Sequence, residues 1–327
     1  MFRKCFSLIF VVSIIAVIFT SGCGQKTANL QLQFQPDETD TFKVTTRTIQ
    51  SYEFSEPALE KVKQEKTGST VEMVYDRKIT GVAEDGTAQI ENTIKELKVF
   101  LQDKDGIKYD FDSQRDDDSN DPLAKIVGMS YKISKTPAGK VTVIDAADIR
   151  NAVKAGFAGT INKGLFEDKA IIERHEILAL PDPEQGEVEV GESWTRIKGS
   201  HPRLLDPKSF EKTYTLTSID KEDGSTVATI DMSAIESAVR AEDHPQSKGF
   251  GFMIKMFDTQ EEFTGTLKLN LDTGDILLYD ETLDAKYIAT EESFGAQGPQ
   301  QQQPEPQQQP DTLTMGFLNS IRLEKLN

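Results

Sequence analysis

The chain has 327 residues and a formal net charge of −17, with 37% hydrophobic residues. This composition is typical of a soluble globular protein that is long enough for one large domain or two smaller ones. The negative charge disfavours binding to nucleic acid and to anionic lipid surfaces, so we expect no nucleic-acid partner. The same charge is compatible with cationic partners and with divalent cations.

Residues 1–22 have the three parts of an export signal. Arg3 and Lys4 precede an almost wholly apolar run over 8–19, and small residues then lead to Cys23. A helix over that run is roughly 18 Å long, which is short for a hydrocarbon core about 30 Å thick. The run therefore predicts a lipoprotein signal peptide over 1–22. An ordinary secretory signal and a retained transmembrane helix are the alternatives.

Cys23 is the predicted site of lipidation. The tripeptide Ser-Gly-Cys at 21–23 resembles the lipobox of bacterial lipoproteins, although Thr20 stands where Leu is commonest. Because Cys5 lies in the signal, Cys23 is the one cysteine of the mature chain and an internal disulfide is excluded. Acyl chains such as palmitate on Cys23 would anchor the protein, since each buried CH₂ contributes about 0.8 kcal/mol. Gly24 favours the outer membrane over the inner, with the protein facing the periplasm.

The region after a polar tether at 23–29 is dominated by strand patterns. Leu30, Leu32 and Phe34 alternate with glutamines, which predicts a first strand. Asp-Gly turns at 85–86 and 223–224 lie between alternating runs and predict β-hairpins. The strands are therefore expected to form antiparallel meanders.

Two helices are predicted between the strand-rich regions. The first has Asp145 as its N-cap and buries one stripe made of Ile149, Val153 and Phe157. The second spans 165–178 and ends before a proline-rich turn. His175 lies in this second helix among charged neighbours, and we interpret it as a helix-surface residue.

The predicted fold class is α+β: twisted antiparallel β-sheets, in one sheet or two half-sheets, with two helices packed on the concave side. An N-terminal sheet plus helices is expected over 30–185 and a C-terminal antiparallel sheet over 186–296. Residues 297–310 contain eight Gln and four Pro, and this composition predicts a disordered loop. Alternation resumes at 311–327, which predicts a terminal strand that returns to the sheet.

Three sequence features carry a family resemblance. They are the lipobox followed by the Leu-x-Leu-x-Phe strand at 30–34, the Asp-Gly hairpins at 85–86 and 223–224, and Val-Gly-Glu-Ser-Trp at 190–194. Together they resemble a family of bacterial envelope lipoproteins that is catalogued only as a domain of unknown function. The resemblance covers most of 30–290. It implies no activity, so no catalytic residue is carried over.

The sequence contains no recognisable catalytic or metal-binding motif. Its three histidines lack metal-ligand spacing, and there is no Gly-x-Ser-x-Gly elbow or phosphate-binding glycine loop. The acidic run at 116–121 lacks the glycine and the final glutamate of an EF-hand, so we interpret it as a solvated loop with calcium binding as the alternative. We therefore expect no enzyme activity, no cofactor and no metal.

The densest apolar stretch of the mature chain lies at 250–257. Phe250, Phe252, Ile254 and Met256 are the predicted wall of an apolar-ligand site, with a core strand or short buried helix as the alternative. The expected function is non-enzymatic binding of an apolar ligand or lipid by a membrane-anchored envelope lipoprotein. A structural or assembly lipoprotein that holds an envelope protein partner at the membrane is the second hypothesis, and a hydrolase is the third.

Overall fold

The computed structural model describes residues 26–200, 208–243, 257–290 and 310–326. Within these ranges the chain forms fourteen β-strands and three short α-helices. The strands are β1 Thr27–Asn29, β2 Thr39–Glu56, β3 Lys61–Val82, β4 Ala88–Asp103, β5 Gly106–Asp112, β6 Ser130–Lys135, β7 Val141–Asp145, β8 Glu187–Glu189, β9 Ser193–Ser200, β10 Lys208–Glu222, β11 Ser225–Glu236, β12 Asp258–Asn270, β13 Asp275–Thr290 and β14 Thr312–Leu326. The helices are α1 Ala147–Ala152, α2 Gly156–Phe166 and α3 Asp168–His175. None of the helices in the described ranges is long and apolar enough to cross a membrane.

Twelve of these strands form one antiparallel sheet. Its order is β7-β6-β4-β3-β2-β14-β13-β12-β11-β10-β9, and β5 pairs with β4 beside β6. β14 lies between β2 and β13, so it joins the strands that precede the helices to those that follow them. The sheet is open, with β7 and β9 at its ends, and β1 and β8 form a separate pair. The predicted α+β class with a twisted antiparallel sheet is confirmed, as a single sheet rather than two halves.

One face of this sheet carries the main core. Side chains alternate between the two faces of a strand, so paired residues across neighbouring strands share a face. Phe42 pairs with Tyr75, and Tyr279 pairs with Leu323, and all four side chains are buried in the same core cluster. We call the face that bears these residues the inner face.

The helices differ from the prediction in number and in boundaries. Three short helices replace the two that were expected, because α1 ends at Ala152 and Glu167 interrupts the second predicted helix with extended backbone angles. The predicted stripe is also wrong at its end: Phe157 lies in α2 with 53% of its surface exposed. Only the earlier members, Ile149 and Val153, are buried.

The break between α1 and α2 has a local cause. The side-chain amide of Asn162 donates to the carbonyls of Ile149, Arg150 and Val153, each at 3.1 Å. These are carbonyls that the end of a helix leaves without intrahelical partners. Gly156 then turns the chain with a φ of +67°, which glycine adopts without steric conflict. The chain therefore restarts a helix in a new direction and carries Phe157 to the surface.

The predicted strand at 30–34 is wrong, although its burial pattern is right. Leu30 and Leu32 are buried, but the segment belongs to no ladder. The Leu32 N–H donates to the carbonyl of Pro137 at 2.8 Å, and the Gln33 N–H donates to that of Gly274 at 3.3 Å. Both acceptors lie outside the strands. Alternation thus predicted which side chains are buried and not what the backbone pairs with.

Candidate functional site: a groove beside helix α2

The residues that the sequence predicts for a site lie outside the described residues. These are the lipidation site Cys23 and the four side chains of the expected ligand wall, Phe250, Phe252, Ile254 and Met256. The acidic run at 116–121 is described. There Asp118 contacts Arg115, and Asp121 accepts hydrogen bonds from the Leu123 N–H and the Tyr109 hydroxyl. These carboxylates are engaged within their own loop.

A groove opens between the inner face and α2. Its volume is about 690 Å³, within the range of small-molecule sites. We call it the α2 groove. Its lining residues are Thr48, Gln50, Thr67, Gly68, Ser69, Leu101, Gln102, Asp103, Lys108 and Phe157.

The floor of the α2 groove continues the inner face of β2 and β3. Along the two strands, the paired side chains change from large apolar groups to hydroxyl and amide groups. The first pairs are buried, and those in the groove are half-buried. In order, the pairs are Phe42 with Tyr75, Val44 with Met73, Thr46 with Val71, Thr48 with Ser69, and Gln50 with Thr67. The apolar core of the sheet therefore grades into a polar and accessible floor.

Gly68 allows β2 and β3 to approach closely beside this floor. A Cβ atom at Gly68 would lie 2.5 Å from the backbone carbonyl oxygen of Thr48. Real Cβ atoms do not come so close to a backbone oxygen, so a larger residue would push the strands apart. Glycine at this position thus fixes the spacing of Thr48 and Ser69.

An exposed aromatic ring lines the groove opposite the strands. Phe157 contacts the ring of Tyr109 edge-on, with centroids 5.8 Å apart, and this contact positions it. Leu101 adds a second apolar side chain. Asp103 and Lys108 form an ion pair at 3.1 Å, so the two charged side chains of the lining neutralise each other. The groove is therefore amphipathic and carries no net charge.

His175 is the centre of a buried polar cluster on the inner face. Its Nε2 lies 2.6 Å from the Tyr131 hydroxyl, and its Nδ1 lies 3.4 Å from the Tyr75 hydroxyl. Burial, followed by the positive charges of Arg174 and Lys135, holds the pKa of His175 well below its usual value. Since both nitrogens face tyrosine hydroxyls, the neutral ring serves as a polar link between strands and helix.

A second polar cluster lies on the inner face of β10 and β13. Lys212 forms a buried ion pair with Glu281, and Glu281 also accepts hydrogen bonds from Tyr279 at 2.6 Å and Tyr214 at 3.2 Å. Burial, together with the charge of Glu281, raises the pKa of both tyrosines. The carboxylate is satisfied by three donors, as buried charges require.

A third cluster joins three carboxylates to two cations. Single oxygens of Glu38, Asp40 and Asp275 lie within 4.8 Å of one another, a spacing that could hold a metal ion. Lys325 contacts Asp40 at 2.7 Å and Asp275 at 2.8 Å, and Arg77 contacts the same two carboxylates. Burial and the charge of Asp275 raise the pKa of Glu38. The cations already supply the compensation that a metal would provide.

Comparisons with known proteins return structural likenesses at low identity. No protein-family model matches the chain, and no curated protein matches it. A solved structure of lipovitellin, titled for its lipid–protein interactions, has 10% identity and a TM-score of 0.41 and covers 90% of this chain. The present chain spans only 26% of that lipovitellin chain. A DUF1329 family protein from Desulfovibrio piger has 8% identity, a TM-score of 0.15 and coverage of 84% of each chain. A protein of a family of unknown function is thus among these likenesses, whereas membership of an envelope lipoprotein family stays a prediction.

Sequence reasoning missed the main residues of the groove and of the buried clusters. Phe157 was assigned to the core, and His175 to a helix surface. A signal for His175 was present, because it lies four residues after Ile171 and thus on the same helix face. Ile171 is fully buried, and His175 is 4% exposed. The floor residues carried no such signal, since their grouping depends on strand register.

Proposed function

We propose that this chain is a lipid-anchored protein of the cell envelope that binds an apolar ligand or lipid and catalyses no reaction. The observation that carries the proposal is the α2 groove, where an exposed phenylalanine ring lines a space continuous with the inner face. A single exposed apolar residue needs no explanation by itself. Phe157 is informative because it borders a groove of ligand size, next to Leu101.

The positions of the buried titratable groups and the lining of the α2 groove support binding rather than catalysis. Two buried titratable groups, His175 and Glu281, already face protein partners on the inner face. Neither residue lines the α2 groove. The groove itself offers hydroxyl, amide and apolar groups, with its charges paired. Such a lining can hold and orient an amphiphile, but it offers no poised base or nucleophile.

The ligand proposal is tested by native mass spectrometry of the full-length lipoprotein extracted from cell membranes in a mild detergent. We expect a non-covalent lipid adduct on the wild-type protein. Phe157→Asp should raise the dissociation constant of the lipid at least about tenfold, which corresponds to about 1.4 kcal/mol, and so lower the adduct occupancy. Ile144→Asp is the matched control, because Ile144 is 50% exposed and lies on β7 outside the groove. An absence of adducts on the wild type, or equal occupancy in both variants, would overturn the proposal.

Lipid anchoring is tested separately, by feeding bacterial cells that express the protein an alkyne analogue of palmitate. We expect label on the wild-type chain and on Cys5→Ala, and none on Cys23→Ala. Cys5→Ala is the matched control, because it removes the other cysteine and leaves the predicted acylation site intact. Label that persists on Cys23→Ala, or an unlabelled wild type, would contradict lipidation at Cys23.

A further inference from the structure

The polar side of the α2 groove is built from neutral groups. Gln50, Thr67 and Ser69 are half-buried on the inner face, and their side chains form no hydrogen bond within the described part of the chain. Together they offer one amide and two hydroxyls, each able to donate and to accept. Thr48 already donates to Asn319 at 3.1 Å. The floor is therefore supplied with free neutral hydrogen-bonding groups.

The charges at the groove are paired. Lys108 contacts Asp103 at 3.1 Å and Asp105 at 3.7 Å, so this lysine is already compensated by two carboxylates. Asp103 also accepts a hydrogen bond from the Asp105 N–H, which together with Lys108 lowers its pKa although burial acts in the opposite direction. An anionic headgroup would meet no unpaired cation in this lining, on a chain whose net charge is −17.

We propose that the α2 groove binds an amphiphile with a neutral, hydroxyl-rich headgroup, such as a sugar-headed lipid. The inference rests on the proposed ligand-binding function and adds the class of headgroup. Sugar hydroxyls donate and accept hydrogen bonds, which matches Gln50, Thr67 and Ser69. An aromatic ring such as Phe157 packs against the apolar C–H face of a sugar or against the start of an acyl chain.

The direction of the gradient orients the ligand. Val71 and Val99 form an apolar pair next to the row of Ser69 and Leu101 on the inner face. The Gln50–Thr67 pair lies two residues farther along the strands. A bound amphiphile therefore has its tail toward Val71 and its headgroup toward Gln50.

The test uses three amphiphiles with the same twelve-carbon chain: dodecyl maltoside, dodecanoate and dodecyltrimethylammonium. Each is added below its micellar concentration to the full-length protein, and bound adducts are counted by native mass spectrometry. We expect the maltoside to bind at least about tenfold more tightly than either charged probe. Equal binding of the three, or tighter binding of a charged probe, would overturn the headgroup inference and leave the proposed function standing. If no probe binds to the wild type, both fail.

A pair of matched variants locates the effect. Gln50→Leu with Thr67→Val removes hydrogen-bonding groups from the floor with little change of volume, and it should abolish the preference for the maltoside. A site whose polar groups hydrogen-bond a ligand discriminates strongly against another ligand that lacks the matching groups. Thr45→Val with Thr70→Val makes similar changes on the opposite face of β2 and β3 and should keep the preference. Retention of the preference in the Gln50/Thr67 variant would refute the assignment of these residues.

Discussion

The Nε2 atom of His175 lies 2.6 Å from the hydroxyl of Tyr131, and both side chains are buried. Burial and two nearby cations hold the pKa of His175 well below the value of about 6.5 expected in the unfolded chain. Below pH 6.5 the unfolded state therefore binds a proton that the native state does not bind. The free energy of unfolding should fall with decreasing pH in this range, by up to about 1.4 kcal/mol per pH unit from this group.

His175→Gln tests this dependence. Glutamine keeps a polar group near Tyr131 but does not titrate, so the fall in stability between pH 6.5 and pH 5 should be shallower than in the wild type. Urea unfolding at a series of pH values measures the slope. Tyr131→Phe is the control, because it removes the hydroxyl and keeps the buried imidazole. An unchanged slope in His175→Gln would show that His175 is not the titrating group.

The buried amine of Lys135 should make the free energy of unfolding depend on pH in a higher pH range. It is 7% exposed on the inner face, takes part in none of the ion pairs among the described residues, and burial with the charge of Arg77 lowers its pKa to about 7. The unfolded value is about 10.4, so between these values the unfolded state binds the extra proton and stability rises with pH. Lys135→Met removes this penalty. We expect the variant to be more stable than the wild type at pH 7 by roughly 1–4 kcal/mol.

The pH series decides whether that gain has an electrostatic origin. The advantage of Lys135→Met should shrink as the pH rises from 7 toward about 10.4, because the cost of keeping the wild-type amine neutral in the folded state falls as the unfolded chain also loses its proton. Lys198→Met is the matched control, since Lys198 is 32% exposed and contacts Glu176 and Asp243. It should not stabilise the protein. A gain in Lys135→Met that is constant from pH 7 to pH 10 would point to packing alone.

The antiparallel sheet was predictable, whereas its sites were not. Asp-Gly turns at 85–86 and 223–224 identified hairpins because Gly86 and Gly224 adopt positive φ angles there, as such turns require. The four-residue spacing predicted one buried helical stripe over Ile149, Val153 and Phe157. The prediction was wrong for Phe157, because Asn162 donates hydrogen bonds to three carbonyl groups at the end of the first helix. Helical periodicity cannot detect a cap that comes from a residue nine or more positions away. The groove floor likewise depends on register between strands, which no local pattern specifies.

Gly274 and Gly224 form a matched pair for a test of how 30–34 docks on the sheet. Both lie in hairpin turns with positive φ, at +73° and +87°. A Cβ atom at Gly274 would lie 2.4 Å from the backbone nitrogen of Gln33, whereas one at Gly224 meets nothing within 4 Å. Gly224→Ala should lower the free energy of unfolding by about 1–2 kcal/mol, from backbone strain alone.

Gly274→Ala should cost about 1–3 kcal/mol more, because the turn must also move away from Gln33. Urea denaturation of the two alanine variants measures the difference. Hydrogen exchange at the Leu32 and Gln33 amides should increase in Gly274→Ala and stay unchanged in Gly224→Ala. Equal stability losses in the two variants would mean that the contact between 30–34 and this turn is absent in solution.

The buried pair of Lys212 and Glu281 should behave as a coupled unit. Lys212→Met leaves the Glu281 carboxylate buried without its cation, and we expect a loss of about 3–5 kcal/mol. It also removes the ammonium that lies 4.5 Å from the ring centroid of Phe263. Glu281→Gln alone likewise leaves the Lys212 ammonium buried without its anion. The double variant removes both charges, and its glutamine can still accept from Tyr279 and Tyr214, so it should lie within about 1–2 kcal/mol of the wild type.

Urea unfolding of the four proteins completes a double-mutant cycle for Lys212 and Glu281. The half-exposed pair of Lys268 and Glu222, with side chains 34% and 41% exposed, is the control. Its cycle should give less than about 1 kcal/mol, because solvent screens exposed ion pairs. Since the Lys212–Glu281 pair lies on the same inner face as the groove but outside its lining, the double variant should also keep the amphiphile preference. Additive losses in the Lys212–Glu281 cycle would mean that the two charges do not stabilise each other in the folded protein.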